Sequence, residues 1–288
     1  MLPNIGIDPK EQIELLKVLD TAFSNQELDF SEQLRSLYKT QIDVVEKYGR
    51  DGLMLLIDYE TRVYVDSDIK RSLEIMHYHD MPKNCPWYDL HELEIPDFIQ
   101  KVWEAYPIPF VELLKEYIKD LFVIFENELW YLVYPHQAKD YDDNSYYDFL
   151  GGCQPKQNTQ LPKALLDAGW KMPKDLQELY SVHSIFGDLK SALRNDITDC
   201  IPNVDSLEAS LTFLEEYVEK WEVDYTFFDL LPFCEDGAGN SQNFYKAEPE
   251  DDSYLTVDWD HETKEISGAS TLAEFIEHQF AERLENEI

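Results

Sequence analysis

The densest group of side chains with metal-binding chemistry lies in the segment HYHDMPKNCPWYDLH. It brings His77, His79, Cys85 and His91 into a short span, and imidazole and thiolate groups are ligands that zinc prefers. The spacing differs from that of a zinc finger, and the two prolines of the segment make the intervening backbone irregular. We therefore expect an aromatic-rich loop without a metal ion, and a zinc site is the alternative.

A second group, EDGAGN, begins at Glu235 and combines carboxylates with glycines. Carboxylate oxygens suit calcium, and glycine N–H groups suit phosphate. A calcium loop of the EF-hand type needs about a dozen residues that end in glutamate, and a phosphate loop needs Gly-Lys-Ser/Thr before a helix. The segment has neither pattern. The Asp-Gly pair at Asp236, followed by Gly239, instead predicts a tight structural turn between two strands.

A third group could support acid–base chemistry, because Asp258 and Asp260 flank a strand residue next to His261. On a strand, however, the two aspartates share one face while Val257, Trp259 and His261 share the other. A solvated acidic face over packed aromatic residues is the simpler interpretation. The chain also lacks the Gly-x-Ser-x-Gly, dinucleotide-binding and HExxH motifs. We therefore expect a protein that is not an enzyme and that needs no cofactor.

The composition restricts the partners. The 288 residues include 24 basic and 59 acidic side chains, which give a formal net charge of -35. Nucleic acids and anionic membranes are expected to be repelled by most of this surface. The acidity either keeps the protein soluble or steers a cationic partner toward it. It is concentrated late in the chain, since residues 196–288 hold four basic and 25 acidic residues.

The cysteines indicate a reducing compartment, because all four are far apart in the sequence and none forms a CxxC pair. They are Cys85, Cys153, Cys200 and Cys234. The first residues lack the pattern of a secretory signal, and no stretch reaches the length of a membrane span. We expect buried thiols and a cytoplasmic protein.

The first half of the sequence predicts helices and hairpins. Apolar spacing predicts a helix from Asp8 and a second helix in LDFSEQLRSLYKTQIDVVEKYG that ends near Gly49. GLMLLIDYETRVYVDSD and LFVIFENELWYLVYPH each predict a hairpin, and helices are predicted in IPDFIQKVWEAY and FVELLKEYIKD.

The polar segment HQAKDYDDNSYYDFLGGCQPKQNTQLP lacks a sustained period. We place a domain boundary within it, which gives an α+β domain at 1–150 and a second domain at 151–288.

The second half predicts four blocks in a fixed order. LPKALLDAGW and MPKDLQELYSVHSIFG predict two helices, with Pro173 in the first turn of the second. LLPFCEDGAGNSQNFY predicts strand, turn and strand, and YLTVDWDHET predicts a further strand. ASTLAEFIEHQF predicts a closing helix that Ser270 or Thr271 caps.

These blocks resemble, over about residues 160–285, the SUKH superfamily, which includes the yeast Smi/Knr cell-wall regulators and many bacterial immunity proteins. The opening helices and the strand-turn-strand with its DGxGN carry the resemblance. The chain departs from the family pattern at Ser184 and Ile185, where Asn-Gly is common, and by a long acidic helical insert, VDSLEASLTFLEEYVEKW. The resemblance implies an α+β second domain with helices around a mixed or antiparallel sheet.

The resemblance further implies an immunity protein that binds and neutralises a bacterial toxin by occlusion. The acidic surface favours a basic toxin domain, for example a nuclease. The alternative is a non-enzymatic regulatory or scaffold protein similar to the Smi/Knr proteins. The aromatic runs YYDFL and DYTFFDLLPF are either core or partner surface. The residues expected to bind the partner are Glu235, Asp236, Asp251, Asp252, Asp258, Asp260 and Glu262.

Overall fold

The structure, a computed structural model, describes residues 5–24, 28–63, 73–207, 230–236, 238–246, 254–263 and 265–285. The chain forms two compact units. Unit 1 comprises residues 1–101, 112–150 and 281–288, and unit 2 comprises residues 102–111 and 151–280. Continuous domains of residues 1–150 and 151–288 are expected from the sequence, whereas the units exchange two segments across that boundary. Both units combine helices with antiparallel strands, so the fold is α+β.

Unit 1 begins with three helices, α1 (Pro9–Ser24), α2 (Phe30–Tyr48) and α3 (Arg50–Val63). The predictions for the first two are confirmed. The carboxylate of Asp8 accepts a hydrogen bond from the backbone of Lys10 at 2.9 Å, and Asp29 forms a capping box at the start of α2. The second helix ends at Gly49, whose φ of 56° suits a residue without a Cβ atom.

The hairpin predicted in GLMLLIDYETRVYVDSD is wrong for the residues that the structure describes, because residues 50–63 form α3. Residues 53–61 of this helix are all buried, so the sequence carries neither the alternation of a half-buried strand nor the polar face of a surface helix. A Cβ atom on Gly52 would lie 2.7 Å from the carbonyl oxygen of Val44. The close approach of α2 and α3 therefore depends on this glycine, and tertiary packing overrides the strand propensity.

The strands of unit 1 follow in the order β1-β2-β3-β4 across the sheet. They are β1 (Glu74–His77), β2 (Phe122–Glu126), β3 (Leu129–Lys139) and β4 (Ser145–Cys153), and the last three residues of β4 are counted in unit 2. The predicted hairpin of β2 and β3 is confirmed, with Phe122 opposite Val133. Its turn places Asn127 and Glu128 at positive φ. The helices α4 (Ile95–Val102) and α5 (Phe110–Tyr117) precede β2, as predicted.

β4 lies within the segment in which the sequence predicts a domain boundary, and the division between the two units falls within this strand, after Leu150. Tyr146 and Tyr147 are half-buried, whereas Phe149 and Leu150 are buried. The ring of Tyr146 stacks on Tyr38 of α2 with centroids 4.4 Å apart. The strand is stabilised by such long-range contacts, which leave no local period in the sequence.

Unit 2 contains short helices and a four-stranded antiparallel sheet of order β10-β9-β8-β7. Its elements in chain order are α6 (Lys163–Asp167), α7 (Lys174–Tyr180), β5 (Phe186–Asp188), α8 (Leu189–Arg194), β6 (Cys200–Ile201), β7 (Leu230–Glu235), β8 (Ser241–Tyr245), β9 (Leu255–Trp259), β10 (Ile266–Ser270) and α9 (Leu272–Glu285). Pro173 is the N-cap of α7. Thr271 and Glu274 exchange hydrogen bonds at the start of α9, which confirms the predicted cap. Most of the acidic insert and the first part of DYTFFDLLPF lie outside the described residues.

The core of unit 2 is built around His183, which is 0% exposed. Its ring stacks on Phe186 at 5.6 Å and meets the edge of Trp103 at 5.4 Å. Its Nδ1 lies 3.1 Å from the carbonyl oxygen of Cys153 and donates to it. Burial lowers the pKa of His183 to about 4, so the ring is neutral at pH 7. A Cβ atom on Gly152 would lie 2.4 Å from Nδ1, so only glycine leaves room for the ring.

All four cysteines, Cys85, Cys153, Cys200 and Cys234, are buried and form no disulfide. Burial raises the pKa of Cys85 to about 11, which keeps this thiol protonated and unreactive. Among the residues that the structure describes, no helix has both the length and the apolar character that crossing a bilayer requires.

Candidate functional site

The turn between β7 and β8 is built around one carboxylate. Asp236 accepts hydrogen bonds from the backbone N–H of Ala238 at 2.8 Å and of Asn240 at 3.2 Å, and from the side-chain amide of Asn240 at 2.7 Å. Gly239 has a φ of 106°, as the turn signal predicts. The carboxylate of Asp236 is thus engaged by its own turn, which agrees with a structural role for EDGAGN.

The turn between β9 and β10 is also stabilised by an aspartate that accepts backbone hydrogen bonds. Asp260 accepts hydrogen bonds from the backbone N–H groups of Thr263 and Glu262, each at 2.8 Å. These two bonds, the one from Thr263 above all, lower the pKa of Asp260. Both the backbone N–H and the Nδ1 of His261 lie within 3.2 Å of the Asn240 side-chain oxygen and donate to it. This pair of bonds joins the two turns at one end of the four-stranded sheet.

Five of the seven residues predicted to bind a partner lie at this end. The five are Glu235, Asp236, Asp258, Asp260 and Glu262, and we call them the acidic end. Asp251 and Asp252 lie outside the described residues. Within the described part of the chain, no lysine or arginine forms an ion pair with these five carboxylates. The acidic end therefore combines closely spaced negative charges with a backbone that hydrogen bonds hold in place.

The members of the acidic end differ in their surroundings. Glu235 ends β7 and accepts a hydrogen bond from Thr198 at 3.2 Å, and burial raises its pKa. Asp258 lies opposite Gln242 and is exposed, while its neighbours Val257 and Trp259 are buried. These three residues follow the predicted alternation, but Thr256, which shares the face of Asp258, is buried. β9 ends at Trp259, so the expectation that Asp260 and His261 lie on strand faces is wrong.

The acid–base alternative involves Asp258, Asp260 and His261. The Nδ1 of His261 donates to Asn240, and the carboxylate of Asp260 accepts backbone N–H groups of its own turn. Asp258 is exposed on β9. The hydrogen bonds described for Asp260 and His261 therefore belong to the two turns.

The residues of the proposed zinc cluster also have separate partners. The Nε2 of His77 lies 2.7 Å from Asp120, and the Nδ1 of His79 donates to the carbonyl oxygen of His91. The Nδ1 of His91 in turn lies 2.6 Å from the carbonyl oxygen of Tyr88. Buried Cys85 contacts the sulfur of Met81. In the part of the chain that the structure describes, no three His, Cys, Asp or Glu side chains are grouped to hold a metal ion.

Unit 1 contains a cleft of about 560 Å³ that the sequence does not predict. It lies beside the end of α5 and the strands β3 and β4. Buried Leu53, Ala138 and Leu284 give it an apolar floor. Polar side chains also line it, namely Glu116, Lys119, Asp120, His136, Lys139 and Ser145.

One wall of the cleft is formed by Asp120, which has three donors. Its carboxylate lies 2.7 Å from the Nε2 of His77, 3.2 Å from the Nε of Arg50 and 3.0 Å from the backbone N–H of Leu121. Burial raises the pKa of Asp120, but the hydrogen bond and charge of His77 and the charge of Arg50 outweigh burial and lower it. This carboxylate is therefore ionised, and its charge is already compensated.

A second Arg–Asp–His arrangement supports the neighbouring wall. Arg283 makes two hydrogen bonds to the carboxylate of Asp148, at 2.9 and 3.0 Å. The Nε2 of buried His136 lies 3.5 Å from the same carboxylate, too far for a strong hydrogen bond but within ion-pair range. Burial raises the pKa of Asp148, and the Arg283 charge outweighs it and holds the pKa well below its usual range. These contacts fix β3, β4 and the end of α9 against one another within unit 1.

No family model, curated protein or solved structure matches this chain.

The cleft carries no signal in the sequence because its supporting pairs are far apart along the chain. Arg50 and Asp120 are separated by 70 residues, and Asp148 and Arg283 by 135. His77 stands out in the sequence, but its near neighbours in HYHDMPKNC suggest zinc rather than a carboxylate 43 residues away. Long-range pairing of this kind becomes visible only in the folded structure.

Proposed function

We propose that this chain binds a basic protein through the acidic end and covers the active site of that protein. The observation that carries the proposal is that five carboxylates lie at one end of the four-stranded sheet, where Asn240 and His261 join two turns. Turns that are already ordered lose little conformational entropy on binding, so more of the electrostatic attraction remains as affinity.

The carboxylates of the acidic end have different tasks in this proposal. Asp236 and Asp260 build the turns, since their oxygens accept backbone N–H groups. Asp258 and Glu262 are exposed, and they are the side chains that meet lysine or arginine on the partner. Exposed charges of this kind mainly raise the association rate and select the partner.

The partner class follows from charge and from the resemblance to SUKH immunity proteins. A net charge of -35 attracts a basic surface over several ångströms and repels phosphate backbones and anionic membranes. A toxin domain that attacks nucleic acid must itself be basic in order to attract its substrate. We therefore propose that the chain neutralises such a toxin in the cytoplasm by covering its active site.

The proposal is tested first by co-purification from the native cell, at about 0.01 M and about 0.15 M salt, with mass spectrometry of the bound proteins. The Debye length shrinks from about 30 Å to about 8 Å over this range, so electrostatic capture should weaken. A basic protein bound one to one, whose toxicity is suppressed by co-expression of this chain, supports the proposal. Recovery of cell-wall or signalling proteins without toxicity overturns it and favours a regulatory role like that of the Smi/Knr proteins.

Two substitutions that remove negative charge then test the acidic end itself. Asp258→Asn with Glu262→Gln removes two exposed charges and leaves both turn-building aspartates in place. Affinity for the recovered partner should fall roughly fivefold, mainly through the association rate. The matched control is Asp167→Asn with Glu178→Gln on α6 and α7, which changes the net charge equally. An equal loss of affinity in both pairs would contradict a role for the acidic end.

A further inference from the structure

The cleft of unit 1 has the size and lining of a small-molecule site. Its volume of about 560 Å³ lies within the roughly 300–1,000 Å³ that such sites occupy. Buried Leu53, Ala138 and Leu284 form the floor, and half-buried Tyr117 and Tyr147 contribute ring surface. A floor of this kind accepts an apolar group, because the removal of apolar surface from water is favourable.

Two charged side chains that line the cleft are compensated by groups within unit 1. The carboxylate of Asp120 accepts a hydrogen bond from the Nε of Arg50 at 3.2 Å and lies 2.7 Å from the Nε2 of His77. The ammonium of Lys139 lies 3.7 Å from the carboxylate of Asp143. Neither side chain therefore offers an uncompensated charge to a ligand.

The other charged side chains around the cleft also have opposite charges close to them. Glu116 and Lys119 are exposed and three residues apart near the end of α5, and Lys119 donates to the backbone carbonyl of Glu116 as well. In the neighbouring wall, Arg283 makes two hydrogen bonds to Asp148, whose carboxylate lies 3.5 Å from His136. The charges that surround the cleft are thus offset locally, although the whole chain carries a net charge of -35.

Two uncharged polar side chains of the lining have hydrogen-bonding capacity to spare. Gln137 is exposed on β3, and half-buried Ser145 is the first residue of β4. Neither side chain forms a hydrogen bond to another residue within the part of the chain that the structure describes. An amide and a hydroxyl can each donate and accept. Together they suit one polar, uncharged group of a ligand.

We propose that this cleft binds an uncharged small molecule that has an apolar body and one amide or hydroxyl group. The body rests on Leu53, Ala138 and Leu284, and the polar group exchanges hydrogen bonds with Gln137 and Ser145. A charged ligand would lose its hydration on entering the cleft, and the compensated charges there would not replace it. The cleft therefore selects against both acids and amines.

This site is independent of the proposed function, because the acidic end belongs to unit 2 and the cleft to unit 1. Failure of the partner experiment leaves the cleft proposal standing, and failure of the cleft experiment leaves the partner proposal standing.

The experiment is calorimetric titration of the full chain at about pH 7 with phenylacetamide and 2-phenylethanol. Each is compared with two charged molecules of similar shape, phenylacetate and 2-phenylethylamine. The two uncharged compounds should bind, and the two charged ones should bind at least about tenfold more weakly because their hydration is not replaced.

A pair of substitutions then places the ligand in the cleft. Gln137→Leu with Ser145→Ala should weaken phenylacetamide about fivefold through the lost hydrogen bonds, and it should leave toluene, which needs only the apolar floor, unchanged. The matched control is Gln157→Leu with Ser267→Ala at exposed positions of unit 2, which should leave the binding of both compounds unchanged. Thermal unfolding of both pairs checks that the fold is intact.

Three outcomes would overturn the proposal. The first is that neither uncharged compound binds. The second is that phenylacetate or 2-phenylethylamine binds as tightly as phenylacetamide, since the cleft would then accept a charge. The third is that the control substitutions weaken phenylacetamide as strongly as the cleft substitutions do.

Discussion

The ring of His183 takes up the space that any side chain at residue 152 would need. The identities of residues 152 and 183 therefore depend on each other in the folded chain. The sequence shows only a pair of glycines and a histidine 31 positions later, and it does not indicate that they are in contact. A histidine buried against Trp103 and Phe186 is neutral at pH 7, because burial lowers its pKa to about 4. The sequence does not reveal this burial, since histidine is as common on surfaces as inside.

The burial of His183 predicts a specific dependence of stability on pH. The ordinary pKa is 6.5 and the folded pKa is about 4, so between these values the unfolded chain binds a proton that the folded chain does not. The contribution of neutral His183 to the free energy of unfolding should therefore be fully present above about pH 6.5. As the pH falls toward 4, the free energy of unfolding should decrease by about 3 kcal/mol.

His183→Asn isolates this contribution, because its side-chain amide can still donate to Cys153 and does not titrate. The variant is expected to be less stable at about pH 7, since it leaves a small void, but its stability should decline less on acidification. Urea unfolding of both proteins at about pH 7, about pH 5.5 and about pH 4.5 measures the difference. Parallel curves for the two proteins would contradict the assignment of the titration to His183.

The sequence predicts helices and strands correctly where their ends are set by hydrogen bonds between residues close in the chain. The starts of α1 and α9 follow from Asp8 and Thr271, whose hydrogen bonds lie within one turn of the helix, and the end of α2 follows from Gly49. The hairpin of β2 and β3 follows from its apolar runs and a polar turn. α3 and β4 were not predicted, because contacts across the fold decide their conformation and both sides of α3 are buried.

The two candidate sites also differ in whether residues close in the sequence form them. Glu235, Asp236, Asp260 and Glu262 could be grouped from the sequence because a turn signal precedes a strand that returns to the same end of a sheet. The cleft of unit 1 could not be grouped, because its walls come from segments far apart in the chain. The pairing of Asp148 with Arg283, for example, leaves no pattern that a window of neighbouring residues can detect.

That pairing should matter more for stability than an exposed ion pair in the same unit. The side chains of Arg283 and Asp148 are 23% and 16% exposed, whereas those of Arg35 and Asp142 are 50% and 65% exposed. Arg283→Met leaves a buried carboxylate with weaker compensation and should cost about 3 kcal/mol. Arg35→Met is the matched control and should cost less than about 1 kcal/mol.

Denaturant unfolding of the two arginine variants at neutral pH gives both values. Equal losses would mean that the Asp148 carboxylate does not depend on Arg283 and would remove the support proposed for the wall of the cleft. A larger loss for Arg283→Met that disappears when Asp148→Asn is added would attribute the cost to the uncompensated charge.

For the whole molecule, a net charge of -35 predicts that the folded state repels itself. Packing such charges into a compact volume costs free energy that added salt relieves. Raising sodium chloride from about 0.01 M to about 0.15 M shortens the Debye length to about 8 Å. The melting temperature should rise by about 3 °C, which corresponds to roughly 1 kcal/mol for a chain of this size.

The same salt series acts in the opposite direction on partner binding, because screening weakens attraction between the acidic end and a basic surface. Stability that rises while affinity falls is therefore the expected joint result, and scanning calorimetry beside a binding assay measures both. At about pH 5 more carboxylates are protonated, so both effects should shrink together. A melting temperature that falls with salt would mean that attractive ion pairs, such as those of Asp120 and Asp148, outweigh the repulsion of the acidic surface.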